Sequence, residues 1–168
     1  EDILATSYRS FVLKDMTENA ESRKPYVFYN TWRRQERVKW AGGTYLGSMN
    51  LQTTLKEIEV AHQMGIEVYV LDVGWFLKTG DWEVNTSFFP DSLKQVKALL
   101  TKYGMKLGLW FNPMLAARSS KMLAQNKQDV AVLNGKADEP FPIWETEESV
   151  RMSLVSPYCE KYADKLIS

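Results

Sequence analysis

The sequence predicts an α/β fold with a parallel sheet, assembled from repeating strand–loop–helix units. Two stretches, Glu67 to Val73 (EVYVLDV) and Lys106 to Asn112 (KLGLWFN), are almost wholly apolar. Strands covered on both faces of a parallel sheet read this way, because neither face alternates with water. Each stretch follows a helix-length amphipathic segment. The two helix-to-strand junctions also share a form, Met64-Gly65-Ile66-Glu67-Val68 and Tyr103-Gly104-Met105-Lys106-Leu107. Strand, helix, glycine, strand at a spacing of ~40 residues is a βαβ series.

The first strand is expected over Pro25 to Asn30, followed by a long polar loop with Trp32, Trp40 and Gly42-Gly43. A helix from Asn50 to Met64 carries Leu51, Leu55, Ile58 and Ala61 on one face, and Gly65 ends it. After the second strand comes a loop through Gly74-Trp75 and Gly80-Asp81-Trp82. Asp91 then caps a helix bearing Leu93, Val96, Leu100 and Tyr103, and Gly104 closes it. The three strands are expected side by side in chain order, parallel, with helices on one face. Beyond them the pattern predicts a helix over Ala116 to Leu133, a Pro- and acid-rich loop over Gly135 to Glu148, a short strand over Val150 to Val155 and a helix over Pro157 to Ile167. No linker or low-complexity segment interrupts the chain, so residues 1–168 read as one unit. A complete (β/α)₈ barrel takes ~250 residues and at least ~200. The units therefore form a small open α/β domain or a piece of a barrel.

Composition narrows the function classes. Basic and acidic side chains balance at 21 each, which argues against a nucleic-acid or anionic-membrane partner. No apolar run approaches the ~18 residues of a membrane span. His62 is the only histidine, so a multi-histidine metal site is excluded, and no metal or cofactor is expected. Cys159 is the only cysteine, which agrees with a reducing compartment without proving one. The chain begins at Glu1 without Met or a signal-peptide pattern and is expected to be part of something longer. Six Trp and eight Tyr are the notable excess. They serve core packing or sugar binding, since flat rings stack on the apolar faces of pyranoses.

Polar and aromatic residues gather where the strands end: Asn30 with Trp32, Asp72 with Trp75, and Trp110 with Asn112. That edge is where ligands bind in parallel α/β folds. Asp72 closes an apolar strand, and a carboxylate so placed needs partners. Sugar hydroxyls would serve, because an ionised carboxylate accepts from adjacent OH groups. A loop cap on nearby N–H groups would serve equally. Trp75, Trp82 and Trp110 either wall a pocket or plug the mouth of the sheet. His62, beside an apolar helix face, reads as structural. Lys127-Gln128-Asp129 has the form of a catalytic Lys-x-Asp, but no buried strand precedes it, so it reads as a solvated helix end.

Several of these runs resemble, in order, motifs of glycoside hydrolase family 36, the α-galactosidases and their relatives. Val70-Leu71-Asp72-Val73-Gly74-Trp75-Phe76 resembles that family's Leu-Asp-Asp-Gly-Trp-Phe, and Gly80-Asp81-Trp82 its Gly-Asp-Trp. Phe89-Pro90-Asp91-Ser92-Leu93 is similar to its Pro-x-Gly-Leu helix start. The run from Gly104 to Pro113 resembles Gly-Met-x-Phe-Gly-Leu-Trp-Phe-Glu-Pro. Asn30-Thr31-Trp32 is similar to the Asn-x-Trp after the family's first strand, and Ser153 to Pro157 to its Leu-Asp-Leu-Ser-x-Pro. Each motif is weak alone; the ordered set spans Tyr26 to Ile167.

The resemblance implies an N-terminal piece of a (β/α)₈ TIM barrel, its first three to four βα units. It also implies retaining hydrolysis of terminal α-galactosides, which uses two carboxylates about 5–5.5 Å apart. In the family the nucleophile is an Asp in a Lys-x-Asp at the end of strand four, and the acid/base lies on strand six. By this comparison the chain supplies no catalytic residue, and Asp129 is not the nucleophile. The remainder of the barrel is expected from the same polypeptide or another chain. What carries over is substrate contact, with Asp72 on the sugar hydroxyls and Trp32 and Trp82 as walls. Two departures bear on the sugar: Val73 stands where the family has a second Asp, and Asn112 where it has a Glu. Galactosyl transfer, as in raffinose- or stachyose-forming relatives, and a non-catalytic carbohydrate-binding or structural half-barrel are the alternatives.

Overall fold

A computed structural model describes residues 2–17 and 19–167. Its centre is a sheet of three parallel strands in chain order: β1 (Phe28–Asn30), β2 (Val68–Leu71) and β3 (Lys106–Leu109). Phe28 stands opposite Val68, and Val68 opposite Lys106. The middle strand is the apolar EVYVLDV stretch, as the sequence pattern requires. The strands are shorter than their apolar runs, because the ends of those runs turn into the loops that carry the polar residues.

Two elements precede the sheet in stretches for which the sequence suggested none. Helix α1 (Ile3–Phe11) starts on Asp2, whose Oδ1 accepts from Leu4 N at 3.0 Å, and it continues into a π-helical turn over Val12–Met16. A 3₁₀ turn covers Ala20–Arg23. None of the α1 side chains is buried. A larger correction falls on the expected polar loop after β1. Residues Trp32–Trp40 form a helix, α2. Its run WRRQERVKW is rich in good helix formers, but its only buried side chain is Gln35. With no apolar stripe, periodicity has nothing to register.

Helix α3 (Leu51–Gln63) begins where expected, with Asn50 Oδ1 accepting from Thr53 N at 2.9 Å. It buries Thr54, Ile58 and Ala61. Helix α4 (Lys94–Lys102) buries Val96 and Leu100 and packs on α3 and on β3. Asp91 caps it from three residues back, its Oδ2 accepting from Gln95 N at 2.8 Å. Ser92 and Leu93 between them take left-handed φ values of 56° and 68°. Leu93 is almost wholly buried, which offsets that strain. Gly65 and Gly104 end α3 and α4 with φ of 75° and 67°, and a Cβ on either would meet nothing within 4 Å. The need for glycine at both is therefore conformational, not steric. His62 of α3 stacks flat on Tyr103 after α4, ring centroids 4.1 Å apart.

The expected long helix over Ala116 to Leu133 is broken up. Leu115–Ala117 is a strand, β4, with all three side chains buried. The short helix α5 (Lys121–Gln125) restarts on the Ser120 hydroxyl, which accepts from Leu123 N. Lys127–Asp129 is a 3₁₀ turn. Strands β5 (Val132–Leu133) and β6 (Lys136–Ala137) form a hairpin on Asn134-Gly135, both at positive φ, which is the geometry that Asn-Gly favours. The acidic loop continues to β7 (Ser149–Arg151), which pairs antiparallel with β4. Helix α6 (Tyr158–Ile167) closes the described chain.

Period-2 alternation sorts the sheet into two faces. Tyr69 and Leu71 of β2 are fully buried and belong to the face that α3 and α4 cover. Val68 and Val70 point the other way and are half-buried. The expectation of full cover on both faces thus holds for one face among the described residues. The face shared by Val68 and Val70 is the one on which the polar strand-end residues gather. Cutting Ile58 to Ala, at the contact between α3 and the covered face, is expected to lower the unfolding free energy by about 2–5 kcal/mol. Urea melts read by far-ultraviolet circular dichroism check this.

Candidate functional site

Register decides which strand-end residues meet. Asn30 pairs with Val70 across β1 and β2, and Val70 with Gly108 across β2 and β3. Two residues beyond Val70 and Gly108 along their strands lie Asp72 and Trp110, on the same face. Asn30, Asp72 and Trp110 therefore converge at the C-terminal edge of the sheet.

Asp72 is held on every side. Its Oδ2 accepts from Asn30 Nδ2 at 2.9 Å, and its Oδ1 from Val73 N at 2.8 Å. Its own N–H donates to Thr31 Oγ1 at 2.9 Å. Thr31 Oγ1 in turn donates to Gln35 Oε1, and Gln35 Nε2 donates to the carbonyls of Val73 (2.7 Å) and Tyr45 (3.1 Å). Asn30 Oδ1 accepts from Trp32 N at 2.7 Å. The result is a buried polar bracket that ties the end of β1, the start of α2 and the end of β2. Asp72 is 5% exposed, and burial pushes its carboxyl above the usual aspartate value; the Val73 N–H and the Asn30 amide pull partly the other way.

The two readings of Asp72 are thus not exclusive. It caps the loop through Val73 N, and it also lines a cavity of about 300 Å³ with Trp32, Trp110 and Trp144. Each carboxylate oxygen has one hydrogen-bond partner on the chain and so retains accepting capacity. Trp32 lies flat on Tyr45 at 5.0 Å and 10°. Trp144 meets Trp110 edge-on at 4.9 Å and Trp32 edge-on at 6.4 Å.

The other expected site residues sit elsewhere. Trp75 and Trp82 are buried behind the cavity and do not line it. Trp75 Nε1 donates to Trp110 O at 2.9 Å, which fixes the strand end that carries the Trp110 wall. Trp82 packs among Trp75, Phe76, Trp110 and Phe111 with centroids 4.6 to 6.3 Å away. Its expected place as a pocket wall is corrected: the turn after Gly80 swings it inward, φ 54°, into the aromatic core. Asn112 opens a turn, its Oδ1 accepting from Met114 N at 3.0 Å, and is also outside the cavity lining. Asp81 caps α5 through the N–H groups of Lys121 and Met122, both at 3.0 Å. Asp129 bonds the neighbouring Gln128 amide at 2.8 Å and has no place on the cavity. Thr31, Gln35, Tyr45 and Trp144 were not singled out from sequence. Thr31 and Gln35 stand four apart, not at the three-residue spacing of a capping box, and Thr31 makes no side-chain cap hydrogen bond, so neither carried a local signal; nor did Trp144, in an irregular loop.

Among the described residues, no group of three or more His, Cys, Asp or Glu is placed to hold a metal ion, and no helix is long and apolar enough to cross a membrane.

Known proteins are similar to this chain in sequence and in fold. The model of the melibiase family matches residues 3–139. Alpha-galactosidase 1 of Pediococcus pentosaceus is 31% identical over 90 residues, which is 49% of this chain and 12% of that protein. Alpha-galactosidase AgaA of Geobacillus stearothermophilus is 33% identical over 128 residues, 66% of this chain and 17% of that one. Among solved structures, a variant of AgaA in complex with stachyose superposes with a TM-score of 0.69 at 19% identity, covering 95% of this chain and 21% of that chain. The alpha-galactosidase TtGalA of Thermus thermophilus, also with stachyose, gives 0.64 at 19% identity over 85% of this chain and 29% of that one. At these identities the superpositions establish the fold, which is part of a (β/α)₈ barrel. The chain spans less than a third of each relative's length. With a family model matched over most of its residues and a barrel portion shared with solved relatives, the chain belongs to the melibiase family, the α-galactosidases of glycoside hydrolase family 36.

Proposed function

We propose that this chain supplies the substrate-pocket half of a retaining α-galactosidase-type glycoside hydrolase that acts on terminal α-galactosides. Residues 1–168 are, on this reading, one fragment of its catalytic domain. The observation that carries it is Asp72: a buried carboxylate with spare accepting capacity, on a cavity otherwise walled by indoles. Such a cavity has the two things a pyranose needs, flat apolar faces for its C–H groups and an ionic acceptor for its hydroxyls. Trp32 and Trp110 supply the faces.

Retention of configuration takes two carboxylates about 5–5.5 Å apart, one as nucleophile and one as acid/base. Among the described residues Asp72 is the one carboxylate on the cavity lining, which supports the reading of a fragment that binds without supplying that pair. The same observation favours a second reading, a non-catalytic carbohydrate-binding half-barrel. Sugar contact by Asp72 is common to both. They differ in whether a completing barrel segment brings the reacting pair.

The purified 168-residue chain is expected to release no nitrophenol from p-nitrophenyl α-galactoside above a buffer blank; turnover would overturn the fragment's inactivity. In the completed barrel, Asp72→Asn is expected to lower kcat/KM on the order of 10²-fold, the cost of leaving hydroxyls unpaired in a desolvated site, ~2–5 kcal/mol. Stability should move little at neutral pH, because the lost Asn30 bond is offset by relief of a buried charge. Its pH dependence has a definite sign. The folded-state value for Asp72 is raised, so its stabilising contribution is complete below about pH 4 and is lost as pH rises through the raised value. The wild type should therefore lose ground to the Asn variant as melts are run at successively higher pH. A large drop in melting temperature with normal kinetics per folded molecule would instead leave Asp72 as a loop cap alone.

A further inference from the structure

One wall of the Asp72 cavity does not come from a strand end. Trp144 sits on the loop between β6 and β7, yet it meets Trp110 and Trp32 across the cavity mouth. Its backbone is held there against preference. Trp144 and Glu145 are consecutive left-handed residues, φ 47° and 62°, and neither is the glycine or asparagine that takes this region readily. Strained backbone of this kind persists where its surroundings over-determine it and is common at ligand sites.

Two things hold it: a turn in which the Thr146 N–H and hydroxyl donate to Ile143 O at 2.9 and 2.7 Å, and the Glu145 carboxylate, which ties that turn to the rest of the site. Its Oε2 accepts from Tyr45 N at 2.6 Å, and its Oε1 pairs with Lys39 Nζ near the end of α2. Tyr45 is the ring on which Trp32 stacks, and the Lys39 ammonium stands 5.4 Å over that same ring. The loop is therefore clamped to the corner that carries the opposite wall. A surface ion pair alone contributes little. Here each carboxylate oxygen has its own donor, one of them a backbone N–H, so the clamp is directional as well as ionic.

We propose that Trp144 is a sugar-contacting, specificity-determining residue of this pocket, and that Glu145, with Lys39, is its positioning residue. The proposal rests on reading the cavity as a sugar pocket. Three indoles and one carboxylate line about 300 Å³, the small end of ligand sites and a volume that suits one pyranose. Trp144 is the one wall of the three that does not come from the sheet edge or from α2.

The test uses the 168-residue chain, galactose as probe, and the indole N–H signals of its six tryptophans in two-dimensional NMR, assigned with single Trp→Phe variants. Galactose is expected to shift the signals of Trp32, Trp110 and Trp144 and to leave that of the exposed Trp40. Trp144→Ala and Glu145→Ala should each weaken binding roughly fivefold or more. Without sugar, Glu145→Ala should move the Trp144 signal toward that of a solvent-exposed indole. Glu145→Gln, which still accepts from Tyr45 N, should restore part of the affinity. Glu147→Ala should change nothing at the cavity, since Glu147 holds Ser119 through its N–H and hydroxyl at 2.7 Å. If Asp72→Asn abolishes binding while Trp144→Ala and Glu145→Ala bind like wild type, the inference fails and the sugar-pocket reading stands. If Glu145→Ala lowers only the melting temperature and leaves the Trp144 signal in place, its role is structural and the inference also fails. If galactose shifts no indole signal in the wild type, the pocket reading falls and takes the inference with it.

Discussion

The architecture of the site depends on the hydrogen bonds that Thr31 and Gln35 make across the ends of β1 and β2. A strand end leaves backbone groups unpaired, and burying them unpartnered costs about 1–3 kcal/mol each. Thr31 takes the Asp72 N–H and Gln35 satisfies the Val73 carbonyl, so β2 can end inside the protein rather than at its surface. The second Gln35 amide bond reaches Tyr45 O and fixes the loop on which Trp32 rests. One polar side chain on an otherwise unburied helix thus sets the positions of a carboxylate, an indole and a tyrosine. Removing that amide would leave a buried carbonyl unpaired and free the Tyr45 loop together.

Beneath this bracket the aromatic residues divide by task. Trp75, Phe76, Trp82 and Phe111 form a packed cluster in edge-to-face and offset contacts, which suit aromatic quadrupoles. Trp110 belongs to both sets: one side joins that cluster and the other lines the cavity. A wall indole backed by other rings has little freedom to rotate, and a rigid apolar wall loses little entropy when a ligand arrives. On the opposite face, Tyr29 and Tyr69 both donate to Glu57, which Arg34 approaches at 3.3 Å. Burial and that carboxylate push both phenols well above their usual range, so they remain protonated donors that lock α3 to the sheet.

How much of this was legible follows from what leaves a trace in local sequence. The three parallel strands and helices α3 and α4 were readable because their burial repeats: apolar strands, apolar stripes and a glycine at each helix end. Helix α2 was not, because it buries a glutamine, and hydrophobic periodicity is blind to a polar contact. The stretch after Asn112 misled because Ala116 and Ala117 are good helix formers that lie in a strand, and only Lys121–Gln125 of the expected helix is α-helical. Tertiary pairing of β4 with β7 overrides that propensity. Within the site, position at the strand ends pointed to Asn30, Asp72 and Trp110. Trp82 was pointed to by the family resemblance and not by strand position, and a left-handed turn aims it into the aromatic core. The clamp that places Trp144 joins Glu145 to Lys39, 106 positions earlier, a distance that no local pattern spans.

The chain-order pairing of β1, β2 and β3 bears on how the protein is made. Each strand docks on the one synthesised just before it, and α4 packs on its predecessor α3. The three-stranded sheet can therefore accumulate from the N-terminal side as the chain emerges from the ribosome, β2 and β3 each finding a neighbour already made, whereas β4 waits for β7. The cavity keeps a different timetable. Asp72 and Trp32 are placed early, but the Lys39–Glu145 clamp closes only once the loop bearing Trp144 has been translated. Through that interval the nascent sheet presents an unroofed carboxylate and an uncovered indole. The acidic loop thus also ends the period during which those groups are open to wrong partners.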